Sequence, residues 1–235
     1  MKTVLFQSKG GAGKSFCSRL LYAYHLNKNQ TSHFIDIDNA SGSLTKFFNS
    51  IEERKNPKIE FANFNLMGAN KKIDRSLFDL LLSEISTREN VVIDAGAATS
   101  EQILYYLRDE EPNGIIGDLK EMNIRLMLVV AGGGSARECY DFFEEAKNIP
   151  GLKDITYVVA NEFLGEINGL SVKEYFDADI QIRTLTNDPT SAAELEWSNL
   201  MNNGFVMQDI EQLPLFRKRR ILNYLKDIFN QIDSL

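Results

Sequence analysis

Cysteine is almost missing from this chain of 235 residues. Cys17 and Cys139 have neither Cys-x-x-Cys spacing nor a histidine cluster nearby, which excludes a disulfide framework and a thiolate zinc site. With 5 prolines and 15 glycines there is no collagenous or low-complexity region. Nowhere do enough apolar residues run together to span a membrane. The opening Met1 to Phe6 turns polar at Gln7-Ser8-Lys9, too short an apolar run for the core of a signal peptide. Basic charge is short too: 26 Lys and Arg stand against 33 Asp and Glu, a formal net charge of −7. A protein that wraps nucleic acid needs a basic face, so here such a face has to be a local patch. What remains is an ordinary globular composition, and the expectation is one domain over residues 1–235, in the cytoplasm.

Apolar, β-branched runs predict strands at Thr3 to Gln7, His33 to Asp36, Ile59 to Leu66, Val91 to Asp94, Ile124 to Val130, Ile155 to Ala160 and Ile180 to Thr184. Several are apolar on successive residues, as in strands covered on both faces. Helical spacing lies between them, near Lys14 to Asn27, Asp74 to Thr87, Glu101 to Arg108, Ser135 to Lys147, Ser191 to Asn202 and Leu215 to Asp233. Loops are expected at Glu52 to Lys58, Glu111 to Gly117 and Gly165 to Gly169. The alternation implies an α/β fold: a mostly parallel, doubly wound sheet of about seven or eight strands with helices on both faces.

Ser8-Lys9-Gly10-Gly11-Ala12-Gly13-Lys14-Ser15 sits directly after the first strand and before the first helix. That is the context of a phosphate loop. Glycines let successive backbone N–H groups point into one concavity, and the helix adds the positive end of its dipole. Lys14 can reach the outer phosphates, and the Ser15 hydroxyl suits Mg²⁺. The strict Walker pattern wants glycine where Ser8 stands, whereas the two-lysine variant KGGxGK[ST] matches from Lys9 to Ser15. This stretch resembles the deviant Walker A loop of the ParA/MinD ATPases, P-loop NTPases that position plasmids, chromosomes, division machinery and other cargo. The resemblance implies that Lys9 reaches across a nucleotide-sandwich homodimer to the partner's ATP. It also implies ATP/ADP contacts from Lys9 through Ser15 and from Phe16.

The second strand ends Asp36-Ile37-Asp38, and side chains two apart on a strand share a face. Beside a phosphate loop, two such carboxylates suit water-mediated Mg²⁺ binding and orientation of an attacking water. The pair resembles the family's switch I motif, which implies a hydrolytic role for Asp38, with Asp36 supporting the metal. Asn39-Ala40-Ser41-Gly42-Ser43 replaces the Pro-Gln-Gly-Asn that follows in many partition ATPases. Val91-Val92-Ile93-Asp94 resembles the Walker B strand, Asp94 holding a Mg²⁺-bound water, although the family's later proline is missing.

Asn161, ending the sixth strand, resembles the asparagine that contacts adenine in relatives; a turn asparagine explains it equally. Pro189 falls where relatives carry a proline loop flanking the base. Gly132-Gly133-Gly134 lacks GK[ST] and reads as a loop, with Ser135 as helix cap. Cys17 reads as buried packing. Arg217-Lys218-Arg219-Arg220 opens an amphipathic stripe of Ile221, Leu222, Leu225, Ile228, Phe229 and Ile232. Three readings stand: a membrane-surface helix, opposed by Asp227 and Asp233; a non-specific DNA patch through Arg217, Arg219 and Arg220; and a packed terminal helix, which is favoured.

The expectation is a slow, partner-stimulated Mg²⁺-dependent ATPase whose ATP-closed homodimer acts as a switch. It would take a protein activator or cargo adaptor, in plasmid or cargo partition or conjugation-associated maintenance. Catalysis would rest on Lys9, Lys14 and Asp38, and the metal on Ser15, Asp36, Asp38 and Asp94. A regulatory nucleotide-binding protein with little turnover and a small-metabolite kinase are the alternatives.

Overall fold

The computed structural model describes residues 1–38, 41–66, 68, 74–165, 167, 178–185, 188 and 190–235, without the side chains of Arg75 and Leu164. Seven strands form one sheet: β1 Lys2–Phe6, β2 Ser32–Asp36, β3 Ile59–Asn63, β4 Val91–Asp94, β5 Ile124–Ala131, β6 Thr156–Asn161 and β7 Ile180–Ile182. Their spatial order is β3-β2-β4-β1-β5-β6-β7, and every pairing is parallel.

The continuous apolar runs are explained by two cores. Val4, Ile35, Ile93, Leu128 and Val158 point to one face of the sheet; Leu5, Phe34, Val92, Val129 and Val159 point to the other. The helices α3 (Arg75–Ser86), α4 (Ala97–Glu110), α5 (Ile115–Glu121) and α6 (Ala136–Lys147) supply side chains to the first core. The second receives α1 (Lys14–Asn27), α2 (Ser43–Ser50), α7 (Ala192–Asn203), α8 (Met207–Glu211) and α9 (Leu215–Asp233). Each face of every inner strand is therefore removed from water.

Helices α1 and α9 and strand β4 match the predicted bounds, while β3 stops at Asn63 rather than Leu66 and β7 at Ile182 rather than Thr184. The segment expected to be a loop from Glu111 to Gly117 instead makes a 3-10 turn and the start of α5. Pro112, Gly114 and Gly117 suggested a loop, but Ile115, Ile116 and Leu119 bury at helical spacing. Ser135 precedes α6 without a capping side-chain hydrogen bond, because a 3-10 turn at Gly133–Ser135 leads into the helix.

The apolar stripe of α9 lies in the second core: Ile221, Leu225, Ile228, Phe229 and Ile232 are all buried. At about 1.5–3 kcal/mol for each such side chain, lifting the helix onto a lipid surface would first forfeit roughly 8–15 kcal/mol. The packed reading holds. Among the described residues no helix is long and apolar enough to cross a membrane.

Because every strand runs the same way, the ends of β1, β2, β4 and β6 open on a single edge. Register sets Leu5 and Asp36 on either side of Asp94, and Ala131 beside Asn161. Residues distant in sequence are thereby gathered around the loop that follows β1.

Candidate active site

The loop after β1 enters α1 through Gly13, whose φ of 100° is left-handed. A Cβ at Gly13 would stand 2.2 Å from Asn161 Nδ2, so this position is restricted to glycine twice over. No side chain caps α1, leaving its first N–H groups directed at the loop. The loop borders a cavity of about 760 Å³, lined also by Phe16, Arg19, Asp38, Ser41, Ser43, Ala97 to Thr99 and Asn202. That volume suits a ligand of nucleotide size.

Lys14 is folded inward. Its Nζ donates to the Gln7 carbonyl at 2.8 Å and to the Lys9 carbonyl at 3.4 Å. Burial lowers its pKa, opposed by the charges of Asp94 and Asp38. Lys9 turns the other way, its Nζ 3.0 Å from Glu138 Oε1 on α6. The two lysines of the motif thus take opposite directions. Gln7, which the sequence reading passed over, steers the loop. Its amide donates to the carbonyls of Val129 (2.9 Å) and Cys139 (3.2 Å), and its Oε1 accepts from Lys9 N at 3.2 Å.

The three aspartates differ. Asp36 is fully buried and engaged: Oδ1 accepts from Asp38 N at 2.9 Å, and Oδ2 accepts from Thr45 N at 2.8 Å and Thr45 Oγ1 at 2.6 Å. It ties the end of β2 to the first turn of α2. Asp38 lines the cavity, accepts from Ser41 N at 3.3 Å and from Ser41 Oγ, and lies so close to Gly96 that a Cβ there would be 2.3 Å from its Oδ1. Asp94 is buried, and the Ser15 hydroxyl is set against its carboxyl, short of a full hydrogen bond. Burial pushes its pKa up to about 7; the Ser15 hydroxyl and Lys14 draw it down, while Asp36 and Asp38 raise it.

A buried carboxyl facing the Ser15 hydroxyl at the foot of a phosphate loop matches the donor chemistry of a magnesium site. Among the described residues no three His, Cys, Asp or Glu side chains converge into a metal-holding group. Mg²⁺ commonly takes one or two carboxylates together with substrate phosphates. Asp94 and Ser15 fit this description directly, and Asp38 from the cavity wall.

Asn161 is buried: Nδ2 donates to the Ala12 carbonyl at 2.9 Å and Oδ1 accepts from Phe163 N at 3.3 Å. Its amide braces the phosphate loop from below. Phe16 stacks on Phe163, ring centroids 5.0 Å apart, a contact no sequence signal marks because the two rings are 147 positions apart. Pro189, with Asn39 and Ala40, lies outside the described residues. Burial raises the Cys17 thiol far above its usual range, in keeping with packing. At the start of α9, Arg217 pairs with Glu196 at 3.0 Å, whereas Arg219 and Arg220 are exposed.

No protein-family model matches the chain. Protein TraL of Escherichia coli is 24% identical over 245 residues, covering 98% of this chain and 96% of TraL. A chain of the MinC:MinD cell division protein complex of Aquifex aeolicus superposes with a TM-score of 0.57 at 12% identity, over 98% of this chain and 96% of that one. The ParA family ATPase of Chlorobium tepidum TLS gives a TM-score of 0.57 at 12% identity over 95% and 98%. A Borrelia burgdorferi B31 protein assigned to plasmid partition and solved with AMPPNP gives 0.55 at 16% identity over 98% and 99%. The seven-stranded parallel sheet, its edge-gathered phosphate loop and these superpositions agree that the chain has the P-loop NTPase fold of the ParA/MinD ATPases.

Proposed function

We propose that this chain, acting as one domain, is a Mg²⁺-dependent ATPase that closes into an ATP-sandwich homodimer and works as a nucleotide-timed switch in plasmid or cargo partition or conjugation-associated maintenance. The observation that carries the reading is the buried Asp94 set against the Ser15 hydroxyl, with Ser15, Lys14 and Asp38 lining one cavity. The likeness to TraL along the full chain favours the conjugation-associated branch.

In this reading the N–H groups from Gly10 to Ser15 receive the phosphates. Lys14 exchanges its two loop carbonyls for phosphate oxygens, so its charge is already positioned before the ligand arrives. Bound Mg²⁺ would be held by Ser15 and Asp94, with Asp38 nearby, and would neutralise phosphate charge. Asp36 acts by fixing Asp38 and the start of α2, rather than by reaching the metal with oxygens already engaged. Asp38 aligns the attacking water; positioning and charge supply most of the catalysis in phosphoryl transfer. Phe16 and Phe163 present ring surface near the base side, and Asn161 holds the loop to which the nucleotide binds. Pro189 would flank the base. Lys9 leaves Glu138 and crosses to the partner's nucleotide, and an activator or cargo adaptor sets the rate. Any DNA contact falls to Arg219 and Arg220, since Arg217 is held by Glu196.

The test is light scattering of the Asp38→Ala protein with Mg²⁺ and ATP, together with phosphate release by the wild type without added acceptor. A dimer that Lys9→Ala abolishes, and phosphate release without acceptor, support the reading. A monomer under those conditions removes the sandwich dimer. Nucleotide binding without turnover points to the regulatory protein, and turnover only with a small acceptor points to a kinase. Unchanged DNA affinity in Arg219→Ala/Arg220→Ala removes the DNA contact.

A further inference from the structure

Arg19 lies four residues beyond Ser15, on the same face of α1, and its side chain lines the nucleotide-sized cavity together with Asp38, Ser41 and Ser43. Its guanidinium joins α7 to α2, two helices that share the second core. Nη1 donates to the Met201 carbonyl in the last turn of α7, where helix carbonyls lack partners within the helix. Nη2 donates to the Ser43 carbonyl at the first residue of α2, at 3.1 Å. The guanidinium carbon is 5.4 Å from the centre of the Phe47 ring, which closes off a third side.

From Ser43 a short chain of contacts leads to Asp38. Ser43 Oγ is 3.1 Å from Ser41 Oγ, which donates to Asp38 Oδ2, while Ser41 N donates to Asp38 Oδ1 at 3.3 Å. Gly96 stands close against the carboxylate. The carboxylate thus has beside it a glycine that permits its approach and a serine pair of which Arg19 anchors Ser43 through its carbonyl.

We infer that Arg19 is a positioning residue for hydrolysis, setting the Asp38 carboxylate through the Ser41–Ser43 segment and fixing that segment to the end of α7. The inference rests on the proposed ATPase reading. A planar fork with several donors can hold two carbonyls at once, which an ammonium cannot do in the same geometry. A misplacement of about 1 Å in a group that orients a nucleophile can cost about a hundredfold in rate.

The experiment measures steady-state kcat and KM for Mg²⁺-ATP, and ADP affinity, in wild type, Arg19→Ala and Arg19→Lys. Arg19→Ala should lower kcat at least about tenfold and leave ADP affinity within about twofold of wild type. Arg19→Lys should fall between, and millimolar guanidinium should partly rescue Arg19→Ala. If Arg19→Ala does not fold, Arg19→Lys carries the same comparison. Wild-type kcat in both variants overturns the assignment of Arg19, as does a parallel fall of kcat, ADP affinity and thermal midpoint without guanidinium rescue. A wild type that binds ADP but releases no phosphate overturns the ATPase reading itself, and this inference with it.

Discussion

Replacing Asp94 by Asn should make the ligand-free protein more stable, and the gain should depend on pH. Asp94 is buried, and burial outweighs the Ser15 hydroxyl and Lys14 beside it, pushing its pKa up to about 7 from the ordinary 3.8. A raised carboxyl pKa means that the folded state binds more protons than the unfolded state between these two values. Stability therefore falls as pH rises from about 4 to about 7 and is level above that. The linkage relation puts the penalty near 4 kcal/mol at pH 8 and near 2 kcal/mol at pH 5.5. Asparagine keeps the shape and a polar head but never ionises, so Asp94→Asn escapes both penalties. At about 2–4 °C per kcal/mol for a chain of this length, the variant should melt roughly 10 °C above wild type at pH 8 and roughly 5 °C above it at pH 5.5. The assay is thermal unfolding followed by circular dichroism, in EDTA without nucleotide, at both values. Equal melting at pH 8, or a difference that does not narrow on acidification, would refute the claim that an uncompensated charge sits there. Under the proposed function the variant should also gain less than wild type from Mg²⁺ and nucleotide.

Gly96→Ala would place its Cβ 2.3 Å from Asp38 Oδ1 and 3.2 Å from Asp38 Cβ, so the carboxylate must rotate away. ATP hydrolysis should drop about a hundredfold while ADP binding persists, read by phosphate release and fluorescent-nucleotide titration. Gly13→Ala meets both a φ of 100° and Asn161 Nδ2 at 2.2 Å, and should cost about 2–4 kcal/mol in urea unfolding; adding Asn161→Ala should recover only the steric part. Glu138→Gln frees Lys9 from an exposed ion pair worth at most about 1 kcal/mol. Under the proposed function two such pairs break per dimer, so ATP-dependent dimerisation should tighten by no more than about thirtyfold in sedimentation analysis.

Much of this architecture is legible in the residues. Strands buried on both faces read as unbroken apolar runs, and Val91-Val92-Ile93 and Leu126 to Val130 could be placed from that feature alone. The helices missed are short. In α2, Leu44, Phe47 and Phe48 bury at helical spacing, but eight residues behind Ser41-Gly42-Ser43 look like loop, and the helix owes its place to Asp36 accepting from Thr45. The phosphate loop and Asp94 follow from spacing, since their chemistry is written into consecutive residues. Gln7, Arg19 and Phe163 do not. Each acts through carbonyls or rings supplied by another element, and a glutamine, an arginine or a phenylalanine carries no spacing that announces such a partner.

The direction of each side chain matters as much as its presence. Lys14 rests on two loop carbonyls, Lys9 on Glu138, Asp36 on Thr45, and Asn161 on Ala12. Ligand contacts by either lysine therefore replace existing bonds, and their net gain is the difference between two hydrogen-bonded states. Among the described residues two features give up less: the first turn of α1, which no side chain caps, and the carboxyl of Asp94, which the Ser15 hydroxyl meets short of a full hydrogen bond. One is a positive dipole end and the other a buried acid, set across a loop that Asn161 holds in place. A phosphate beside the first and a hard cation beside the second relieve both at once, which neither ligand does alone. The free energy of nucleotide binding should accordingly reside in that pair, while the lysines decide what the bound state can do.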